Sequence, residues 1–227
     1  GDQRAADGEC LTFDSPPAGA PEDILGYPEV ELLLSADQPL ALVAVRLCDV
    51  APDGASTLVS WGLLNLTHRD GHEFPEPLEP GRCYRVTVPL NVSGHCLAAG
   101  HRWRVAISPV YTRHAWPSPE AVTLTLFAGA GCCLRLPVRV PSPADAALAD
   151  FPPPEMAAPA AREALRPGRS RKTISHDLID GWTELRIEDD GGRTRYSSSG
   201  MEVEDGVTEV TRVREGDPLS LRVDIAR

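Results

Sequence analysis

Lysine is nearly missing from this chain: Lys172 is the single one, and every other side chain with a permanent positive charge is an arginine. The formal net charge is −11, which opposes the electrostatic attraction by which proteins bind nucleic acids and anionic membranes. Long hydrophobic runs are missing too, since none approaches the roughly 20 residues that span a bilayer. We therefore expect no nucleic-acid partner, no membrane association and a cytoplasmic location.

Helical periodicity is scarce as well. The 22 prolines and 19 glycines separate short runs of alternating apolar and polar residues, a pattern typical of an all-β domain. Two such runs, Cys83–Leu90 and Arg102–Ser108, place every second side chain on one apolar face and predict half-buried strands. Between them, Gly94 and Gly100 indicate that Asn91–His101 is a loop.

Six further strands are predicted before residue 141, at residues 11–13, 28–34, 40–50, 57–66, 121–128 and 134–140. The run 40–50 is apolar on both faces, which predicts a central strand that is covered from both sides. Together the eight strands predict a β-sandwich over residues 11–140. We expect residues 1–10, which are polar and irregular, to be a mobile terminus.

The remaining chain changes character. Residues 141–170 are rich in proline and alanine and predict an exposed connection. Strand patterns return at residues 183–187, 193–197, 209–214 and 219–225, with a turn predicted at Glu188–Gly192. These strands are too few for an independent core, so we expect residues 171–227 to complete the first sandwich or to dock on it.

The chain starts at Gly1 rather than at a methionine, and we expect it to be a fragment of a longer polypeptide. Its six cysteines repeat no disulfide scaffold, and Cys132 and Cys133 are adjacent. Four of the six lie in or beside apolar strands, where a free thiol behaves as a small hydrophobic side chain. A reduced cytoplasmic protein is the simpler interpretation.

The sequence contains no Gly-x-Ser-x-Gly elbow, the turn on which an α/β hydrolase presents its nucleophile. The polar segment Ser197–Gly200 has the serines but lacks the first glycine at the required spacing. We therefore expect no catalytic residue in this chain and no enzymatic activity of the chain by itself.

The segment His68–Glu73 combines two imidazoles and two carboxylates in six residues. Zinc sites with histidines four residues apart use a helix to bring both rings to one face, whereas Asp70-Gly71 predicts a turn. A solvated loop is therefore favoured, with no metal and no cofactor. The other four histidines are dispersed along the sequence and form no triad by proximity; they are His95, His101, His114 and His176.

A separate loop candidate follows the strand at 102–108 and contains Tyr111, Arg113, His114 and Trp116. Tryptophan, tyrosine and arginine dominate contact surfaces, so these residues are candidates for an interface with another domain or for a ligand loop. The alternative is a loop whose aromatic side chains cap the end of the sandwich. Both interpretations remain open.

Five ordered motifs carry a family resemblance. They are Leu11-Thr12-Phe13-Asp14-Ser15, Gly26-Tyr27-Pro28-Glu29-Val30-Glu31-Leu32, the segment Val45–Gly54 (VRLCDVAPDG), Leu78-Glu79-Pro80-Gly81, and the segment Ala99–Ser108 (AGHRWRVAIS). In this order the sequence resembles the C-terminal non-catalytic domain of the X-Pro dipeptidyl-peptidase and cocaine-esterase-like serine hydrolases. The resemblance covers roughly Leu11 to Pro119.

The resemblance implies a jelly-roll β-sandwich of the galactose-binding-domain-like type, placed after an α/β-hydrolase catalytic domain of the same parent protein. No member of that domain's Ser, Asp and His triad can be carried over to this chain. The implied function is an accessory domain that covers the active site and supports the catalytic domain. The alternatives are a free-standing carbohydrate- or ligand-binding jelly roll and, thirdly, a domain that mediates homo-oligomer formation.

Overall fold

The computed structural model describes residues 2–112, 114–148 and 152–227. The chain divides into two compact units, Gly1–Ala147 and Leu148–Arg227, and strands dominate both. No helix among the described residues has the length and apolar character required to cross a membrane. All six cysteines are free thiols.

The first unit begins with a one-turn helix, continues as ten short strands in its described part, and includes two 3-10 turns. The elements are α1 (Arg4–Asp7), β1 (Leu11–Asp14), β2 (Glu22–Gly26), β3 (Glu29–Ala36), β4 (Leu42–Val50), β5 (Ser56–Asn65), the 3-10 turn Leu66–His68, β6 (Tyr84–Pro89), β7 (Ser93–Leu97), β8 (Arg102–Ser108), β9 (Leu124–Leu126), β10 (Cys133–Arg135) and the 3-10 turn Pro143–Ala147.

These strands form a sandwich of two antiparallel sheets. The first sheet has the order β1-β8-β4-β5, and the second sheet has the order β10-β3-β6 with β9 also paired to β3. The core lies between them, where Val43, Val45 and Leu47 of β4 face apolar residues of β3 and β6 such as Leu32 and Val88. The all-β, jelly-roll prediction is therefore confirmed. The apolar side chains, which alternate along each strand, lie on the face of each sheet that packs against the other sheet.

The central position of β4 is also as predicted, since both faces of this strand are buried. Its inner face carries the valines of the core. Its outer face carries Arg46, which is only 3% exposed. A guanidinium so deep in the protein needs a partner, because an unpaired buried charge is strongly destabilising.

That partner comes from α1. Arg46 Nη2 lies 3.1 Å from Asp7 Oδ1, and Arg46 Nη1 donates to Gln3 Oε1 at 2.6 Å. The second oxygen of Asp7 accepts from Ser56 Oγ at 2.7 Å and from Arg104 Nη1 at 3.2 Å. The segment expected to be a mobile terminus therefore has defined side-chain contacts with the first sheet.

One loop prediction is wrong. The segment Asn91–His101 contains β7, which pairs with β2 over five residues in an antiparallel two-stranded ribbon. Gly94 lies opposite Leu25 in this ribbon and, having no side chain, lets the leucine approach closely. The strand exists because of its partner, which glycine punctuation in the sequence does not reveal.

The second unit is a single antiparallel sheet. Its strands are β11 (Arg162–Arg166), β12 (Arg169–His176), β13 (Trp182–Tyr196), β14 (Glu202–Arg214) and β15 (Asp217–Ala226). Strand β13 pairs with β11 and β12 along one edge and with β14 along the other, and β14 pairs with β15. Strand β11 lies inside residues 141–170, the range expected to be a connection. The expectation that residues 171–227 complete or dock on the sandwich stays a prediction.

The turn predicted at Glu188–Gly192 is also wrong, because β13 runs through it without reversing. The register against β14 shifts between Asp190 and Gly192, which marks a bulge, and Gly192 adopts the positive φ of 77°. A Cβ on Gly192 would lie 2.4 Å from the carbonyl oxygen of Arg166, so this position needs glycine. The two glycines serve a bulge here, although the same pair is typical of a hairpin turn.

The buried ion pair predicts an asymmetric mutational response. Asp7→Asn leaves the Arg46 guanidinium buried without its carboxylate, and we expect the first unit to lose about 3–5 kcal/mol of unfolding free energy. Urea titration of tryptophan fluorescence in a Trp182→Phe background measures this, since the remaining tryptophans all lie in the first unit. Asp2→Asn, which removes an exposed pair with Arg4, serves as the control and should change nothing measurable. Equal effects of the two substitutions would contradict the argument.

The bulge predicts a pH dependence in the second unit. The Arg166 guanidinium, then the Gly192 N–H, lower the pKa of Asp190 from 3.8 to about 2. A depressed carboxyl pKa contributes stability that is present above pH 4 and is lost as the pH falls toward 2. Urea unfolding, followed by the NMR amide resonances of β13, should show this loss of stability at low pH. Asp190→Asn should abolish the part of the loss that comes from Asp190. An unchanged pH profile in the variant would exclude this role for Asp190.

Candidate functional site

Three aromatic rings meet on the outer face of the first sheet. Trp61 of β5 lies beside Arg46 of β4 in the strand register, and the loop after β8 places Tyr111 and His114 against it. The ring centroids of Trp61 and Tyr111 are 5.7 Å apart in an edge-to-face arrangement, and His114 lies 4.4 Å from each of the two rings. We call Trp61, Tyr111 and His114 the aromatic cluster.

The backbone of the loop holds the cluster together. The N–H groups of His114 and Ala115 both donate to the carbonyl oxygen of Tyr111, each at 3.1 Å, which closes a tight turn. Burial raises the pKa of Tyr111, and the nearby positive charge of Arg46 opposes part of that effect. The phenol therefore stays protonated at neutral pH and can donate a hydrogen bond.

The loop residues predicted from the sequence differ in whether they pack on the sheet or are exposed to solvent. Tyr111 and His114 pack on Trp61, as a capping loop would, whereas Trp116 is 65% exposed, as a contact residue would be. Arg113 lies outside the described residues. Trp61 was not among the sequence candidates, and the only signal for it was a large aromatic residue in a predicted strand. The interface or ligand role of these residues stays a prediction.

A second polar cluster forms from residues that are far apart in the sequence. Asp49 at the end of β4 lies 2.9 Å from His95 Nε2 and 2.7 Å from His101 Nδ1, so one carboxylate serves two imidazoles. Trp103 packs edge-on against His95 and donates its indole N–H to Glu22 Oε1 at 2.8 Å. Folding thus unites two of the dispersed histidines around an acid.

The other polar contacts of histidine rings in the described chain involve residues that are near in the sequence. Apart from the two rings on Asp49, His68 contacts His72 and His176 contacts Thr183 Oγ1 at 2.8 Å. None of these polar partners in the described chain is a serine hydroxyl, the group that a catalytic histidine would activate. Among residues that the structure describes, no group of three or more His, Cys, Asp or Glu side chains could hold a metal ion.

A cleft of about 310 Å³ opens between the two sheets of the first unit. Its walls are mainly apolar and include Phe13, Trp103, Leu126 and Leu134. Two acidic residues at the cleft, Asp14 and Glu31, are already paired with arginines, at 2.7 Å in each case. The cleft therefore suits an apolar or neutral group better than a charged one.

The fold is that of a jelly-roll β-sandwich. The comparison with known families agrees, since the X-Pro dipeptidyl-peptidase C-terminal non-catalytic domain matches residues 2–131, more than half of the chain. This chain belongs to that family. The match covers the sandwich from α1 to the residues just before β10 and leaves the second unit outside.

Sequence relatives carry esterase names. A Mycobacterium bovis protein, which its name assigns provisionally to the serine esterases, is 28% identical over 130 residues, 50% of this chain and 21% of that protein. The cocaine esterase of Rhodococcus sp. is 23% identical over 111 residues, 47% of this chain and 19% of that protein. The chain therefore spans about a fifth of the length of the curated relatives it matches.

Solved structures share the fold. An α-amino acid ester hydrolase superposes with a TM-score of 0.52 at 25% identity, over 61% of this chain and 27% of its own. An aminopeptidase from the marine sediment archaeon Thaumarchaeota archaeon gives a TM-score of 0.57 at 19% identity, with the same two coverages. In each case the likeness is confined to a minor part of a larger protein.

The aromatic cluster predicts a measurable energetic coupling. In a double-mutant cycle, Trp61→Leu and Tyr111→Leu should couple by about 0.5–1.5 kcal/mol, the range for aromatic pairs. Urea unfolding followed by circular dichroism supplies the free energies. A matched cycle of Trp61→Leu with Trp116→Leu should show coupling near zero, because Trp116 is largely exposed. Coupling of the same size in both cycles would argue against a cluster limited to the three rings.

Proposed function

We propose that this chain is the C-terminal accessory domain of an α/β-hydrolase-type serine hydrolase that acts on esters or on amide bonds after proline. In this proposal the sandwich covers the active-site cleft of the catalytic domain and supports that domain. The chain contributes no nucleophile, and its partner is the catalytic domain of the same parent protein.

The observation that carries the proposal is the family match over residues 2–131, since that family is defined by a non-catalytic role beside an X-Pro dipeptidyl-peptidase. The names of the relatives agree on hydrolysis, with esterases and an ester hydrolase among them. The histidine contacts add physical support, because the imidazoles bond to a carboxylate, to another imidazole and to a threonine.

The covering role is supported by the loop after β8. Trp116 extends from the aromatic cluster with most of its surface exposed, and tryptophan is enriched among residues that dominate the energy of interfaces. The loop is braced beneath by Tyr111 and His114 on Trp61. A braced loop with an exposed aromatic side chain loses little conformational freedom on docking, which favours a contact surface.

The test uses the open reading frame that contains this chain. We expect a Gly-x-Ser-x-Gly motif upstream, and hydrolysis of an activated ester or an X-Pro-nitroanilide by the full-length polypeptide. The 227-residue chain should show no hydrolysis above background, measured by release of the chromophore. Hydrolysis by the chain alone would contradict the non-catalytic role, and the lack of an upstream elbow would contradict the hydrolase partner.

The covering role has its own readout in the full-length protein. Trp116→Ala should lower kcat/KM at least tenfold, the effect of losing one interface anchor of about 1.4 kcal/mol or more. Phe74→Ala is the matched control, since Phe74 is 77% exposed against 65% for Trp116 and lies on a different loop. If both variants keep full activity, Trp116 does not contact the catalytic domain or the substrate.

The cleft between the sheets favours one alternative, a ligand-binding jelly roll. Its volume falls in the range of small-molecule sites, and its aromatic lining suits a neutral ring or sugar. Calorimetric titration of the chain with simple sugars decides between the two. If a sugar binds and Phe13→Ala abolishes the binding, the alternative is supported. If no sugar binds, the accessory-domain function is favoured.

A further inference from the structure

Two histidine rings meet in the loop that follows β5. His68 ends the 3-10 turn Leu66–His68, and the turn through Gly71, whose φ is 149°, reverses the chain and returns His72 toward it. The two Nδ1 atoms lie 3.1 Å apart, with ring centroids separated by 5.2 Å. Histidines four residues apart were expected to need a helix to bring their rings together. Here the turn brings them together instead.

The loop that carries the pair is braced on both sides. Asn65 Oδ1 caps the 3-10 turn by accepting from the Thr67 N–H and hydroxyl, at 3.1 and 2.9 Å. The side chain of Arg69, only 7% exposed, donates to the Glu76 carbonyl at 2.7 Å and lies over the ring of Tyr84 at 4.7 Å. The Glu76 N–H donates back to the Thr67 carbonyl at 2.8 Å. The imidazoles are therefore presented by a fixed backbone.

The separation of the two nitrogens has a specific chemical meaning. Imidazole nitrogens bind Zn²⁺ at about 2.0–2.1 Å, so two of them on one ion are about 2.9 Å apart at a right angle and about 3.3 Å apart at the tetrahedral angle. The observed 3.1 Å lies between these values. We propose that His68 and His72 form a two-histidine site for a borderline divalent transition metal ion such as Zn²⁺.

The local charges are compatible with a cation. The guanidinium of Arg69, the nearest positive group of the loop, is already paired with Asp70 Oδ2 at 3.2 Å and with Glu76 Oε2 at 3.5 Å. Its charge is therefore offset before an ion arrives. The pair supplies two ligands, because no third ligating side chain converges on it within the described part of the chain. Water or an acidic group of another molecule fills the remaining positions.

Binding requires both Nδ1 atoms to be unprotonated, with the ring protons on Nε2. In the free pair one Nδ1–H donates to the other Nδ1, so binding of the ion requires that proton to move to Nε2 of the same ring, and both imidazoles stay neutral. The competing interpretation is a pair that only shares this proton.

The experiment is a calorimetric titration of the 227-residue chain with Zn²⁺ at pH 7.5, with Co²⁺ visible absorption as a second readout. We expect one ion per chain at pH 7.5. His72→Ala and His68→Gln should each weaken binding at least tenfold. His176→Ala, which removes an exposed histidine of the second unit, is the matched control and should change nothing.

Two outcomes would overturn the proposal. One is the absence of Zn²⁺ binding at pH 7.5 in the chain with both histidines, which would leave the proton-sharing pair. The other is binding that survives both substitutions in the pair, which would place the ion elsewhere. Circular dichroism of each variant establishes that it is folded, and the result stands whether or not the parent protein is a hydrolase.

Discussion

The buried ion pair between Asp7 and Arg46 is the contact on which the sandwich depends. A central strand covered on both faces normally carries apolar residues only, yet β4 places a guanidinium in the middle of its outer face. The carboxylate of α1 neutralises that charge, and its Oδ2 accepts hydrogen bonds from Ser56 and Arg104. The first residues of the chain therefore pack against the outer face of the first sheet.

The aromatic cluster depends on the same constraint. Trp61 is the register partner of Arg46, so the face that the cluster covers is the face on which the ion pair lies. Tyr111 closes over that face and is buried enough for its pKa to rise. The ion pair and the three rings therefore lie on one face of the first sheet.

Many ionisable side chains of the described residues are paired with one another. Imidazoles bond to Asp49, to each other and to Thr183, and arginines of both units are held by carboxylates at hydrogen-bond distance. This agrees with membership of a family named for its non-catalytic role. The His68 and His72 pair is the exception, because its two nitrogens satisfy each other in a geometry that also suits a metal ion.

The sequence by itself determined the strands whose pattern needs no partner to be recognised. Alternation at 83–90 and 102–108 predicted β6 and β8, and apolar residues on both faces of 40–50 predicted the central β4, because burial of one or two faces imposes period two or a continuous run. Tertiary structure alone decided the rest. Strand β7 exists through its pairing with β2, and the glycines at 191 and 192 form a bulge because β14 continues alongside them. The meeting of His68 with His72, and of Asp49 with His95 and His101, is likewise set by how the backbone folds back on itself, since glycine punctuation and histidine spacing are local signals and these contacts are not.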